Sequence, residues 1–183
     1  MNRKTLILSL LGCLALIQIG VPVFMILQQE SVLGTGQAVK FRTQPVDPFD
    51  AFRGRYVALS LKEHTAPNPE GLTLSRGQRV FAVIKTGDDG FAVFSRISAD
   101  IPRDEPYLKV RVTAVAGNKV EFQPPIDRYY MMEKKAPRAE DLYRKHNTGG
   151  RNDAYVIVMI KDGNSVVKDL YVGGKPVEEA LGE

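Results

Sequence analysis

Hydrophobic positions divide the chain into two patterns. Residues 6–27 form an unbroken apolar run without a charged side chain, and Gln18 is its one strongly polar residue. As a helix rising ~1.5 Å per residue, the run covers about 33 Å, enough to cross a hydrocarbon core of ~30 Å. Beyond Gln37 the apolar residues recur with a period of two in short runs separated by turn signals. That spacing predicts antiparallel strands rather than helices. The fold class expected is mainly β, an antiparallel sandwich or partly closed barrel with one short helix, preceded by a transmembrane helix.

Three processing schemes compete for the first thirty residues. A cleaved signal peptide has a shorter apolar core and small residues before the cut, for which Val32 and Gly34 are available. Leu10-Leu11-Gly12-Cys13 resembles a lipoprotein box, but cleavage there leaves an apolar block directly behind the lipid. An uncleaved anchor over residues 6–27 accounts for the whole segment. Arg3 and Lys4 then stay on the cytoplasmic side with residues 1–5, and everything beyond the anchor lies outside. Residues 28–37, carrying Gly34 and Gly36, read as a flexible tether to a domain over 38–183.

Within that domain, strands are expected over 37–42, 55–61, 79–86, 91–97, 107–115, 119–123, 154–160 and 165–172. In the second, Val57, Leu59 and Leu61 share one face and Tyr56, Ala58 and Ser60 the other. Gly87-Asp88-Asp89-Gly90, Ala116-Gly117-Asn118 and Asp162-Gly163 supply hairpin connections, and Gly173-Gly174 ends the last strand. The continuously apolar run 154–160 fits a central strand covered on both faces. Residues 136–146 break the pattern. Pro137 suits a first helical turn, Ala139, Leu142 and Tyr143 form an apolar stripe, and Glu140 and Arg144 can pair four residues apart.

Composition narrows the picture further. The single cysteine, Cys13, lies in the anchor, so an exported domain folds without disulfides and relies on its core. The net charge of +4 comes from 25 basic and 21 acidic residues interleaved along the chain, as in Arg103-Asp104-Glu105. That suits a mixed solvated surface rather than a nucleic-acid footprint, with attraction to anionic lipid headgroups or an acidic envelope polymer as the alternative.

The segment from Pro45-Val46-Asp47-Pro48-Phe49-Asp50 through Arg53-Gly54-Arg55-Tyr56-Val57-Ala58-Leu59-Ser60-Leu61 resembles the signature of the bacterial GDYXXLXY family. Asp127-Arg128-Tyr129-Tyr130-Met131-Met132-Glu133 is similar to that family's second block, and residues 161–175 resemble its closing hairpin. The resemblance implies a membrane-anchored exported protein of uncharacterised biochemical activity, in the bacterial cytoplasmic (inner) membrane with a periplasmic domain. Gly54, Tyr56 and Leu59 match the motif, whereas Arg55 replaces its aspartate and Leu61 its final tyrosine. Arginine cannot substitute for an essential acid or metal ligand, but leucine can substitute for a packed ring. The departures favour a structural motif. In that reading Asp47, Pro48 and Asp50 make a turn, Gly54 admits the chain into the strand, and Leu59 enters the core.

Catalytic constellations are sparse. His64 and His146 are the only histidines and lack metal-ligand spacing, so neither metal nor cofactor is expected. Asp88-Asp89 suits a polar hairpin tip better than a calcium loop. Ser60, Ser75 and Ser95 with Lys62 and Lys85 are the raw materials of a serine–lysine envelope hydrolase, provided a buried pair forms. The candidate binding surface comprises Arg53, Arg55 and Tyr56 with Arg128, Tyr129 and Tyr130. Adjacent strand residues face opposite ways, so at most one tyrosine of the pair should be exposed, and core packing with the hydroxyl at the rim is the plainer reading. The favoured function is a non-enzymatic interaction or accessory module for a polytopic membrane protein. A cell-wall glycan module is the further alternative.

Overall fold

The computed structural model describes residues 3–44, 56–69, 71–148 and 151–182. In chain order the elements are α1 (Arg3–Thr35), β1 (Gln37–Gln44), β2 (Tyr56–Ala58), β3 (Ser60–Leu61), β4 (Thr65–Pro67), β5 (Arg79–Thr86), β6 (Ala92–Ser98), β7 (Tyr107–Ala116), β8 (Lys119–Gln123), β9 (Arg128–Tyr130), α2 (Ala136–Asn147), β10 (Tyr155–Lys161), β11 (Asn164–Val172), β12 (Lys175–Pro176) and α3 (Val177–Ala180). The fold is mainly β, as the period-two pattern requires.

Two five-stranded sheets carry the core. One, ordered β4-β8-β7-β5-β6, curls until its edge strands β4 and β6 lie against each other, giving a nearly closed barrel. Its interior is filled by alternate residues such as Val80, Ala82, Leu108, Val110, Val112 and Val120, all at most 3% exposed. The other, ordered β12-β11-β10-β1-β3, stays open. Phe41 of β1 stacks on Phe94 of β6 at 5.5 Å, and Phe94 meets Phe122 of β8 edge-on at 4.9 Å. These rings join the two sheets through one apolar core.

A second join is made by the β10–β11 turn. Asp162 (φ 51°) and Gly163 (φ 75°) form a tight hairpin of the kind that needs two positive φ angles. Gly163 also bridges to Leu108 of β7, and its carbonyl accepts from Lys109 N–H at 3.1 Å. A Cβ there would stand 2.5 Å from the Tyr107 ring. Only glycine fits both the angle and the space.

Helix α2 follows the expected stripe. Ala136, Ala139, Tyr143 and Asn147 are buried along one face. Tyr143 Oη donates to the Gln44 carbonyl at 2.9 Å, and Asn147 Nδ2 donates to the Tyr143 carbonyl at 3.2 Å. Thr43, beside them, donates to the Ala154 carbonyl at 3.0 Å, so the buried polar groups where α2 meets β1 are partnered. Arg144 pairs with Asp141, three residues earlier, rather than with Glu140 as expected.

Several further expectations are corrected. Residues 28–35 are not a flexible tether: α1 continues unbroken to Thr35 and docks on β10 and β11. Lys161 Nζ donates to Ser31 Oγ (2.9 Å) and Thr35 Oγ1 (2.7 Å), while Val32 is buried at 3% exposure. The backbone of Ile160 passes so close to Gly36 that a Cβ there would meet it at 3.1 Å. The run 55–61 is not one strand. It breaks at Leu59 because β2 pairs with β9 whereas β3 pairs with β1. A short strand absent from the expected set, β4 (Thr65–Pro67), lies at the edge of its sheet, a position where Pro67 costs no ladder hydrogen bond. Finally, α3 adds a short helix beyond the one expected.

Candidate functional site

The three blocks of sequence singled out above converge in space. Strands β2 and β9 form a separate two-stranded ladder in which Tyr56 opposes Tyr130, Val57 opposes Tyr129 and Ala58 opposes Arg128. Just beyond it, Leu59 N–H donates to the Asp127 carbonyl at 2.9 Å. Strand β11, from the third block, lies beside β9. The signature and the aromatic block thus hold each other in place. Asp47, Pro48, Asp50, Arg53, Gly54 and Arg55 lie outside the described residues. Leu59 and Leu61 are buried, at 5% and 3% exposure, so leucine fills a core position where the motif has tyrosine.

Strand alternation separates the two tyrosines of β9. Tyr129 is half-buried against the core, and burial followed by the nearby Glu178 and Asp169 carboxylates pushes its phenol above the ordinary range. Tyr130 is 66% exposed and meets the Tyr56 ring edge-on at 5.8 Å. The Arg128 guanidinium sits 5.1 Å from the centre of the Tyr56 ring, within cation–π range. It also donates through Nε and Nη2 to both carboxylate oxygens of Asp127, at 3.0 and 2.7 Å. This fork, with the Tyr130 hydroxyl behind it, holds the guanidinium charged and raises its pKa.

Behind this surface runs a groove of about 560 Å³, walled by Gln29 of α1, residues 125–130 and residues 165–168 of β11. A second hollow of about 350 Å³ is lined by Gln28, Gln29, Val32, Lys109, Pro125, Gly163, Asn164 and Ser165. The two share Gln29, Pro125 and Ser165, so they adjoin each other beside the end of α1. The candidate residues drawn from sequence that lie here are Arg128, Tyr129 and Tyr130. Gln28, Gln29, Lys109, Asn164 and Lys168 were missed, because they come from three remote segments and carry no local motif.

A different set of aromatics lies across the open sheet. Tyr155 and Tyr171, register partners on β10 and β11, stack at 4.9 Å, and Phe91 meets Tyr155 edge-on at 5.5 Å. Arg42 covers Phe91 at 4.1 Å and pairs with Asp89 at 2.6 Å. Only the alternation in β1, β10 and β11 hints at this row. Its rings largely cover one another.

The serine–lysine arrangement does not assemble. Ser60 Oγ accepts from Gln44 Nε2 at 2.9 Å, Ser95 Oγ donates to the Val83 carbonyl at 3.3 Å, and Lys62 and Lys85 are exposed. The hollow beside Ser60 is lined by Gln44, His64, Thr113 and Gln123 but by no lysine. Among the described residues no group of three or more His, Cys, Asp or Glu stands ready to hold a metal ion.

What the described residues define is a β domain carried on one N-terminal helix that is long and apolar enough to cross a membrane. A profile of the GDYXXLXY protein family matches residues 18–170, from within the apolar helix into the last strand of the closing hairpin, and the chain belongs to that family. No curated protein and no solved structure matches the chain.

Proposed function

We propose that this chain is a non-enzymatic accessory module that presents a rigid β domain at the outer face of the bacterial cytoplasmic membrane to a polytopic membrane protein. The observation that carries the reading is the junction of α1 with the sheet. From Leu10 to Ser31 every side chain of the helix is exposed, as suits a segment facing lipid or other helices. Over its last turn the same helix buries Val32 and is bonded to β10, with Lys161 Nζ donating to Ser31 and Thr35. A domain on a loose tether would sample many orientations, whereas this one is held in a fixed attitude to its helix.

Arg3 and Lys4 favour an inside amino terminus, which puts the domain on the periplasmic side. The contact surfaces are then the exposed flank of α1 within the bilayer and the Tyr56–Tyr130 ladder above it. Photo-crosslinking from Phe24 and from Tyr130 in native membranes tests this. The expected outcome is one discrete protein adduct, of the same multispanning partner, from both positions. Adducts to bulk lipid and unrelated proteins alone contradict it.

A further inference from the structure

The groove beside the end of α1 has a depth, a charge and a rim that together specify a ligand. Its depth follows from the helix. The apolar run ends at Leu27, and the groove-lining residues Gln28, Gln29 and Val32 stand one to five residues further on. At ~1.5 Å per residue they lie within about 8 Å of the end of the apolar segment. The headgroup layer on each side of a bilayer is about 5–7 Å thick, so the groove opens among headgroups rather than into bulk water or hydrocarbon.

The charge is positive. Lys109 lines one of the two adjoining hollows and Arg128 and Lys168 the other, against one carboxylate, Asp127, which is already committed to Arg128. Lys109 and Lys168 are exposed and make no ion pair among the described residues. Two cations are thus left for an anion. The rim is amphipathic. Tyr130 lines the groove with its ring 66% exposed, and Met132, two residues on, is 59% exposed. Exposed tyrosines are enriched at membrane interfaces, where one end of the ring is apolar and the other wet.

We infer that this groove binds the phosphate-bearing headgroup of an anionic phospholipid from the leaflet out of which α1 emerges, with Lys109 and Lys168 supplying the positive charge for the phosphate. The inference rests on α1 spanning the membrane, as proposed above. It adds a ligand that needs no protein partner. Lipid in the groove would also fill the space between domain and bilayer and so reinforce the fixed attitude of the domain.

The test uses the purified full-length chain in vesicles of phosphatidylcholine mixed with phosphatidylglycerol, followed by detergent extraction and counting of the lipids retained per chain. The wild type should retain phosphatidylglycerol in clear preference to phosphatidylcholine. Each basic residue near an anionic surface is worth about a fivefold change in binding, so the double variant Lys109→Gln/Lys168→Gln should lose most of the preference. Lys119→Gln, on the distant β7–β8 hairpin, should keep it, and circular dichroism should show all three proteins folded. Equal retention of the two lipids by the wild type, or unchanged preference in the double variant, overturns the inference. So does displacement of the retained lipid by millimolar inorganic phosphate, which would mean that phosphate alone is read. A chain that does not insert into vesicles overturns the membrane reading and this inference together, whereas insertion without lipid preference overturns this inference alone.

Discussion

The barrel and the open sheet are built from the same strand chemistry but are finished differently. In the barrel β4 and β6 close on each other, and the interior is apolar throughout. Its hairpins are local, its edges are covered, and what it lends to the groove is Lys109 on the outside of β7. The open sheet instead receives the end of α1, the β2–β9 ladder and helix α2, and between these additions lies the basic groove. Closure produces stability; incomplete closure, filled in by remote segments, produces a site. On this view substitutions in the barrel should alter folding, and substitutions around the groove should alter what the protein touches.

The largest effect should come from the rings shared by the two halves. Phe94→Ala removes the partner of both Phe41 and Phe122 and should cost about 3–5 kcal/mol, roughly 10 °C in melting temperature, measured by thermal unfolding of the extracted protein. Gly163→Val attacks the other join. A β-branched residue at φ 75° with the Tyr107 ring 2.5 Å from its Cβ should cost about 3 kcal/mol, whereas Gly174→Val, with open space around it, should cost less. Equal losses at the two glycines would show that backbone angle alone matters and that the Gly163 bridge contributes nothing.

Tyr143→Phe removes the hydroxyl that donates to the part-buried Gln44 carbonyl and should cost about 1 kcal/mol at neutral pH. It should also change the alkaline limb. Burial raises the Tyr143 pKa above the ordinary value of 10.0, so its contribution is fully present below that pH and is lost as pH rises through the folded value. The variant should therefore lose less stability than the wild type on titration above pH 10. A smaller effect again is expected from Lys161→Met, which removes two exposed hydrogen bonds. Global stability should change by under ~1 kcal/mol, while amide exchange should accelerate over residues 28–35. Exchange unchanged there would mean that Val32 burial alone fixes the helix.

The same contrast explains what could be read from the sequence. Strands β5 through β8 were legible because each pair is joined by a short turn with its own signature and alternates in period two. Strand β5 was placed at its observed ends, and α2 emerged from its 3.6-residue stripe. The groove was not legible. The break at Leu59 exists because two different strands compete for the backbone on either side of it, a tertiary fact without a local marker. The end of α1 looked like a tether because two glycines and several polar residues suggested one. In the folded chain a Cβ at Gly36 would meet the Val32 carbonyl at 2.4 Å and the Ile160 backbone at 3.1 Å, and Ser31 and Thr35 receive Lys161 from far along the sequence. Arg128, Tyr129 and Tyr130 could be singled out as an aromatic, basic cluster, but not the lysines that complete the site.

The central claim is that α1 and the β domain form one unit whose groove faces the bilayer. Its most direct test is the depth of two nitroxide labels in vesicles carrying the full-length chain, read by accessibility to oxygen against a water-soluble nickel complex. One label replaces Asn164, in the groove with Gln28 and Gln29; the other replaces Asp88, beyond Arg42, which lies about 17 Å along β1 from Gln37. The account predicts that the Asn164 label reports headgroup depth while the Asp88 label reports bulk water. Equal exposure of both labels to the nickel complex would contradict it, because the domain would then be tumbling above the membrane on a loosened helix.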